Sequence, residues 1–258
     1  MRSHFLITAC FAALSVSVAV SAQTSLSYEG SSTIGRFISD ASEVYPHARF
    51  TLNTVPESAG GEQCAVRQRC DLGGVAREIA PAFLERGLVK TLIAKDAIAA
   101  LVHKDNPINA LSKEQLRGIF SGNIKNWSEV GGNDAAITVF VVKEASATHQ
   151  VFADAILDGH DYGAVEVITP DARMLPTISR DVNAIGQLSF AFLDPNFQVK
   201  PLTIDGQIAS VENPNYPISR PLYLVTYGEP KGAVKDFLDW TLSPEGQAVI
   251  KKRFVGVK

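Results

Sequence analysis

The chain has 258 residues, 46% of them hydrophobic and 20% charged, an ordinary globular balance with enough length for one large or two modest cores. Its net charge of -3 argues against nucleic acid, which calls for a basic face, and means that an anionic ligand has to be held by local donors.

Met1–Ala22 reads as a secretory signal: Arg2 and His4 form a short polar start, Phe5 to Val20 is apolar, and Val20-Ser21-Ala22 supplies small residues before a cleavage point. Ile7-Thr8-Ala9-Cys10 resembles a lipoprotein box but would leave almost no apolar segment before it, so plain secretion, periplasmic or extracellular, is expected. Two cysteines then remain, Cys64 and Cys70, and in an oxidising compartment such a close pair reads as a disulfide.

A short strand, Ser25 to Tyr28, runs into Gly30 and three hydroxyl residues, Ser31, Ser32 and Thr33. A helical spacing of Ile34, Phe37, Ile38, Ala41 and Val44 follows. Free N–H groups at such a helix start, with the helix dipole behind them, can cap the helix through Ser and Thr or hold an anion. Two further turns of this kind, Glu57-Ser58-Ala59-Gly60-Gly61 and Lys143-Glu144-Ala145-Ser146-Ala147-Thr148, favour the anion reading. Between them Phe50–Val55 alternates like a strand, Glu62–Arg69 is a short helix, and Asp71–Ala76 is a compact strand closing on Arg77. Pro81–Gly87 brackets another helix, and Ala97–His103 is a buried strand. Ser112 caps a helix carrying Leu116, Ile119 and Phe120, Asn126–Gly132 is a loop, and Ile137–Val142 is a strand aimed at the second hydroxyl turn. A helix over Ala147–Leu157, strands over Ala184–Phe192, Val199–Ile204 and Pro221–Thr226, and closing helices over Ala233–Leu242 and Glu245–Lys252 complete an alternating α/β pattern with no linker.

Leu111-Ser112-Lys113-Glu114-Gln115-Leu116-Arg117-Gly118-Ile119-Phe120-Ser121-Gly122-Asn123-Ile124-Lys125-Asn126-Trp127 resembles a segment of the periplasmic phosphate-binding proteins of ABC importers. Gly30–Thr33, Tyr216–Tyr223 and Leu242–Gln247 are similar to other landmarks of that family, in the same order, so the likeness runs from about Leu26 to Val255. It implies a type II periplasmic-binding fold of two α/β lobes joined by crossover strands around a ligand cleft. The expected division is residues 23–102 and 216–258 for one lobe and 103–215 for the other. It also implies, as ligand contacts, Ser32 and Thr33 from the first turn, Ser58 from the next, Arg77 after the strand, and Lys143, Glu144, Ser146 and Thr148 from the second lobe. The family's Arg-Glu-x-Gly-Ser-Gly-Thr turn is here one residue shorter, with Lys143 for Arg and Ala147 for Gly, and Ala76 stands for a usual Ser.

The implied function is a cofactor-free, metal-free monomer that binds inorganic phosphate or a related tetrahedral oxyanion and passes it to ABC permease subunits. An anion sensor or surface-binding protein on the same fold is the alternative, and a serine-dependent hydrolase a further one. The chain has no Gly-x-Ser-x-Gly elbow, and of its five histidines only His149 lies near the turns, where it reads as solvated. Trp127, Phe120, Phe152, Phe190 and Phe192 read as packing residues. Asp71 and Arg220 are open between a structural pair and site residues, with Arg220 read as structural. A desolvated Glu144 would accept the proton that phosphate keeps at neutral pH and sulfate lacks.

Overall fold

The computed structural model describes residues 23–258; the expected signal segment lies outside them. The chain alternates strand and helix from its start: β1 (Thr24–Gly30), α1 (Ser32–Ser42), β2 (Ala48–Asn53), α2 (Glu57–Val66), β3 (Leu72–Val75) and α3 (Pro81–Glu85). There follow β4 (Leu88–His103), β5 (Ala110–Leu111), α4 (Lys113–Phe120), β6 (Thr138–Val142), α5 (Ala147–Phe152), β7 (Glu166–Ile168), α6 (Met174–Ile178) and β8 (Ala184–Ser189). The last third holds β9 (Val199–Pro201), β10 (Thr203–Ile204), β11 (Ser219–Tyr227), α7 (Gly232–Thr241), α8 (Pro244–Ile250) and β12 (Val255–Gly256).

A ten-stranded sheet has the order β2-β1-β3-β11-β4-β8-β6-β7, with β9 and β12 also pairing β4. The 16-residue β4 belongs to both halves of it. Its first part, Leu88 to Ala97, pairs antiparallel with β11, while Ile98 to Val102 pairs antiparallel with β8. Two α/β lobes result, each with helices on both faces of its sheet. In the first, Ile34, Phe37 and Ile38 of α1 meet Phe237, Leu238 and Ile250 of α7 and α8 on one face, and α2 covers the other with Ala65 and Val66. Tyr45, Phe50 and Trp240 extend that core, with ring centroids 4.7–5.8 Å from Phe237. In the second lobe Trp127, Phe120 and Phe152 fill one face, and Met174, Leu175 and Ile178 of α6 the other. The aromatic residues read as packing do pack: Trp127 is 1% exposed, and Phe120 and Phe152 are fully buried.

Local chemistry explains most boundaries. Ser31 caps α1 by accepting from Ile34 N–H, and Ser112 forms a reciprocal capping box with Gln115 at α4. Pro81 and Pro244 stand at the first turns of α3 and α8, where a missing N–H costs nothing. Several expectations need correction. The segment Ser58–Gly61, read as a turn, is the first part of α2. Gly61 lets that helix lie directly on β3, since a Cβ there would come within 2.5 Å of the Gly74 carbonyl oxygen. β4 begins at Leu88, nine residues before the apolar run, because its polar residues are tolerated in pairing with β11. The Ala147–Leu157 helix changes to a π-turn at Ala153–Leu157, and the strand read through Phe192 stops at Ser189, whose hydroxyl caps the 3-10 turn of Phe190–Phe192. Val199–Ile204 is two strands, β9 on β4 and β10 on β5.

Cys64 and Cys70 form a disulfide with Cα atoms 5.6 Å apart, joining the end of α2 to the turn before β3. A loop this short should contribute about 2 kcal/mol through the unfolded state. Urea unfolding of Cys64→Ala/Cys70→Ala should show a midpoint lowered by about that free energy, with native far-UV circular dichroism retained.

Candidate functional site

Two of the three hydroxyl turns, those of Thr33 and Thr148, meet on the side chain of Arg220, on β11. Its guanidinium is 1% exposed and bonds on three sides. Nε donates to Asp96 Oδ2 on β4 at 3.0 Å, Nη2 donates to Thr33 Oγ1 at 3.0 Å, and Nη1 donates to Thr148 Oγ1 at 3.1 Å. Thr33 stands in the first turn of α1 and Thr148 in that of α5, so one cation spans both lobes and the strand they share. Arginine only donates, so each threonine oxygen accepts and its own proton is left to point elsewhere.

Around this centre the turns supply further donors. Thr33 is the second residue of α1, where the N–H has no acceptor within the helix. The Ser32 hydroxyl is buried without a partner. Ser58 is fully buried, and its oxygen accepts from Ala76 N–H at 3.1 Å, leaving its proton to donate. Ser146 caps α5, accepting from Thr148 N–H, and donates to Asp171 Oδ2 at 2.7 Å. The two lobes touch here: Ala59 N–H donates to the Ala145 carbonyl at 3.4 Å, and Lys143 Nζ donates to the Val55 carbonyl.

The electrostatics are unusual for an anion site. Two cations, Lys143 and Arg220, face three buried carboxylates, Glu57, Asp96 and Asp171. Glu57 Oε2 accepts from Ser32 N–H at 2.9 Å, at the start of α1. Burial, and then the charge of Asp171, push the Glu57 carboxyl up to about 7, against the Ser32 N–H and Lys143. Burial likewise raises Asp171, opposed by Ser146, Arg220 and Lys143. Asp171 Oδ1 has no hydrogen-bond partner.

Of the expected contact residues, Ser32, Thr33, Ser58, Ser146 and Thr148 are gathered here, with Lys143 at the rim. Glu144 is not: it lies at the exposed crest of the turn, so it is not the desolvated carboxylate expected from the sequence, and Asp171 and Glu57 fill that description instead. Arg77 is turned aside. Its Nη2 donates to Glu62 at 2.9 Å and its Nε to Gln150 at 2.9 Å, bridging the lobes beside the site. Arg77 and Gln150 line, with Val151, Asp154, Arg220 and Pro221, a cavity of about 340 Å³. Asp71 does not meet Arg220; it binds the backbone N–H and hydroxyl of Ser27. Arg220, Asp96 and Asp171 were missed as site residues, and only a lone arginine within an otherwise apolar strand pattern could have pointed to the first.

His149 Nδ1 lies 2.8 Å from the Val142 carbonyl and its ring packs on Tyr162, so it is part-buried and held, not solvated. Its ring makes no hydrogen bond to the Ser146 hydroxyl, which bonds an aspartate instead. Among the described residues no cluster of metal-ligating side chains occurs, and no helix is long and apolar enough to cross a membrane.

A family profile described as a PBP superfamily domain matches residues 17–245. The chain is 32% identical over 241 residues to the phosphate-binding protein PstS of Bacillus subtilis, an alignment covering 89% of this chain and 79% of that protein. Its fold is similar to that of a Clostridium perfringens protein assigned as a phosphate ABC transporter substrate-binding protein and solved with bound phosphate. There the TM-score is 0.85 at 30% identity, covering 91% of this chain and 100% of the other. An ABC-type phosphate transport receptor from Vibrio cholerae shares the fold at a TM-score of 0.74 and 23% identity, covering 90% and 100%.

Two outcomes follow from the geometry. Arg220→Gln should destabilise the fold by about 3–5 kcal/mol, because it leaves Asp96 buried without its countercharge. Adding Asp96→Asn should recover part of that loss, measured as the coupling in a double-mutant cycle by urea denaturation. Glu57 gives a pH signature. Its folded value lies above its ordinary 4.5, so the folded state holds the proton more tightly. The stability this group contributes is full below pH 4.5 and falls as pH rises towards 7. The unfolding free energy of the unaltered protein relative to Glu57→Gln should therefore decline across that window and level off above it.

Proposed function

The chain belongs to the PBP superfamily, among its phosphate-binding substrate-binding proteins, and on that premise we propose that it captures inorganic phosphate in the cleft between its lobes and delivers it to an ABC permease. The observation that carries this reading is the meeting of two helix starts, one from each lobe, on one buried guanidinium. The hydroxyl protons and helix N-terminal N–H groups gathered around it suit a compact tetrahedral oxyanion.

In this reading Thr33, Thr148, Ser32 and Ser58 donate to the anion, Ser146 holds Asp171 in place beside it, Arg220 fixes the direction of the threonine hydroxyls and supplies positive charge, and Lys143 adds more. The lobes are residues 23–102 with 216–258, and 103–215, hinged where β4 and β11 cross. A ligand held from both sides favours the closed arrangement by its differential affinity. The unpartnered Asp171 Oδ1 takes the role first expected of Glu144. It accepts a hydrogen bond from the proton that phosphate retains at neutral pH, and meets only lone pairs on sulfate. The protein acts as a secreted, monomeric binder rather than an enzyme. A serine-dependent hydrolysis finds no support in a Ser146–Asp171 pair that lacks a general base.

Isothermal titration calorimetry should show saturable one-to-one phosphate binding, with sulfate at least 100-fold weaker and no turnover of phosphate esters. Asp171→Asn should weaken phosphate and strengthen sulfate. Absence of phosphate binding, or ester hydrolysis lost in Ser146→Ala, would overturn the reading.

A further inference from the structure

Glu57 is set apart from every other residue of the site. It is 2% exposed, and it opens α2 with φ 55, a left-handed conformation that a side chain disfavours. Its carboxylate reaches across to α1 and takes the Ser32 N–H at 2.9 Å. A carboxylate is itself an oxyanion, and it sits on a donor that the reading above gives to the ligand.

Resting on that reading, we propose that Glu57 is a built-in competitor for the ligand: its carboxylate holds the α1 N-terminal N–H until a proton neutralises it, and so sets the affinity of the site.

The groups that face it shape the effect. Asp171 repels the Glu57 charge, Lys143 attracts it, and Ser32 donates to it. Tyr28 on β1 lies within its field, with the phenol donating to the Ser31 carbonyl. Arg220 acts on the Asp171 side. With two cations already matched against Asp96 and Asp171, an ionised Glu57 leaves the site one negative charge in excess before any ligand enters. The carboxyl titrates at about 7. At pH 8 about one-tenth of the molecules then carry the proton, and apparent affinity falls by that fraction, about tenfold; at pH 6 the penalty is nearly gone.

This role differs in sign from that of Asp171. A carboxylate that reads the ligand's proton loses affinity when replaced, whereas a competitor gains it. Calorimetric titration of the full chain with inorganic phosphate at pH 6, 7 and 8, for the unaltered protein, Glu57→Gln and Glu57→Gly, separates the two. Both variants should bind about tenfold tighter than the unaltered protein at pH 8 and converge with it at pH 6. Taking the ratio of affinities at each pH cancels the titration of phosphate itself. A ratio of one throughout overturns the inference, and so does weaker binding by the variants, which would make Glu57 a proton acceptor. Failure of all three proteins to bind overturns the phosphate reading and the inference with it. Should both variants fail to fold, the heat of binding to the unaltered protein at pH 8 decides, measured in buffers of different ionisation enthalpy. Uptake of about one proton supports the competitor and no uptake overturns it.

Discussion

The buried ion pair of Arg220 with Asp96 is the constraint on which the rest of the site depends. Neither charge could stay buried alone, since removing a charge from water costs several kcal/mol unless a partner and hydrogen bonds replace the solvent. Asp96 lies on β4 and Arg220 on β11, the two strands that run through the middle of the sheet, so sheet pairing itself delivers the partner. The donors left over on the guanidinium then reach outward to Thr33 and Thr148, one in each lobe. A scaffold element thus fixes where the two helix starts stand relative to each other.

From that anchor the polarity of the site follows. Threonine oxygens that accept from arginine must turn their protons away, and the Ser58 oxygen that accepts from Ala76 N–H is committed in the same way. The result is a surface of donors assembled by acceptors already used. The carboxylates are the counterweight. Asp171 orders Ser146 and keeps one oxygen unpartnered, while Glu57 closes the α1 start. On the proposed reading selectivity and strength are carried by different residues, both buried acids close enough to feel each other's charge.

What was legible in the sequence were features written locally. Ser31, Ser112 and Ser146 announce helix starts by residue type, and apolar periodicity places α1, α4 and the cores around Phe37, Phe120 and Trp127. Cys64 and Cys70 are close enough in sequence to pair on sight. What could not be read was fixed by distant partners. Arg220 meets residues 124 and 187 positions away, and nothing in its neighbours announces that. Glu144 and Glu57 are both acids in hydroxyl turns. The difference between an exposed crest and a buried helix start depends on which turn packs against the opposite lobe. The long β4 was read as half its length, because its outer part is polar enough to look like a loop until β11 lies beside it.

The place of β11 in the sheet has a consequence for how the molecule comes to exist. It runs between β3 and β4, yet it is made more than 100 residues after either, once the whole second lobe has been laid down. Until then the edge of β3 and the outer part of β4 stand open, without hydrogen-bond partners, the kind of exposed edge that recruits other chains. Closing so long a loop is slow compared with forming local helices and hairpins. Arg220 arrives on that same strand, so the centre of the site cannot form before β11 has taken its place between β3 and β4. A chain able to hold its ligand is, for that reason, a chain that has finished folding.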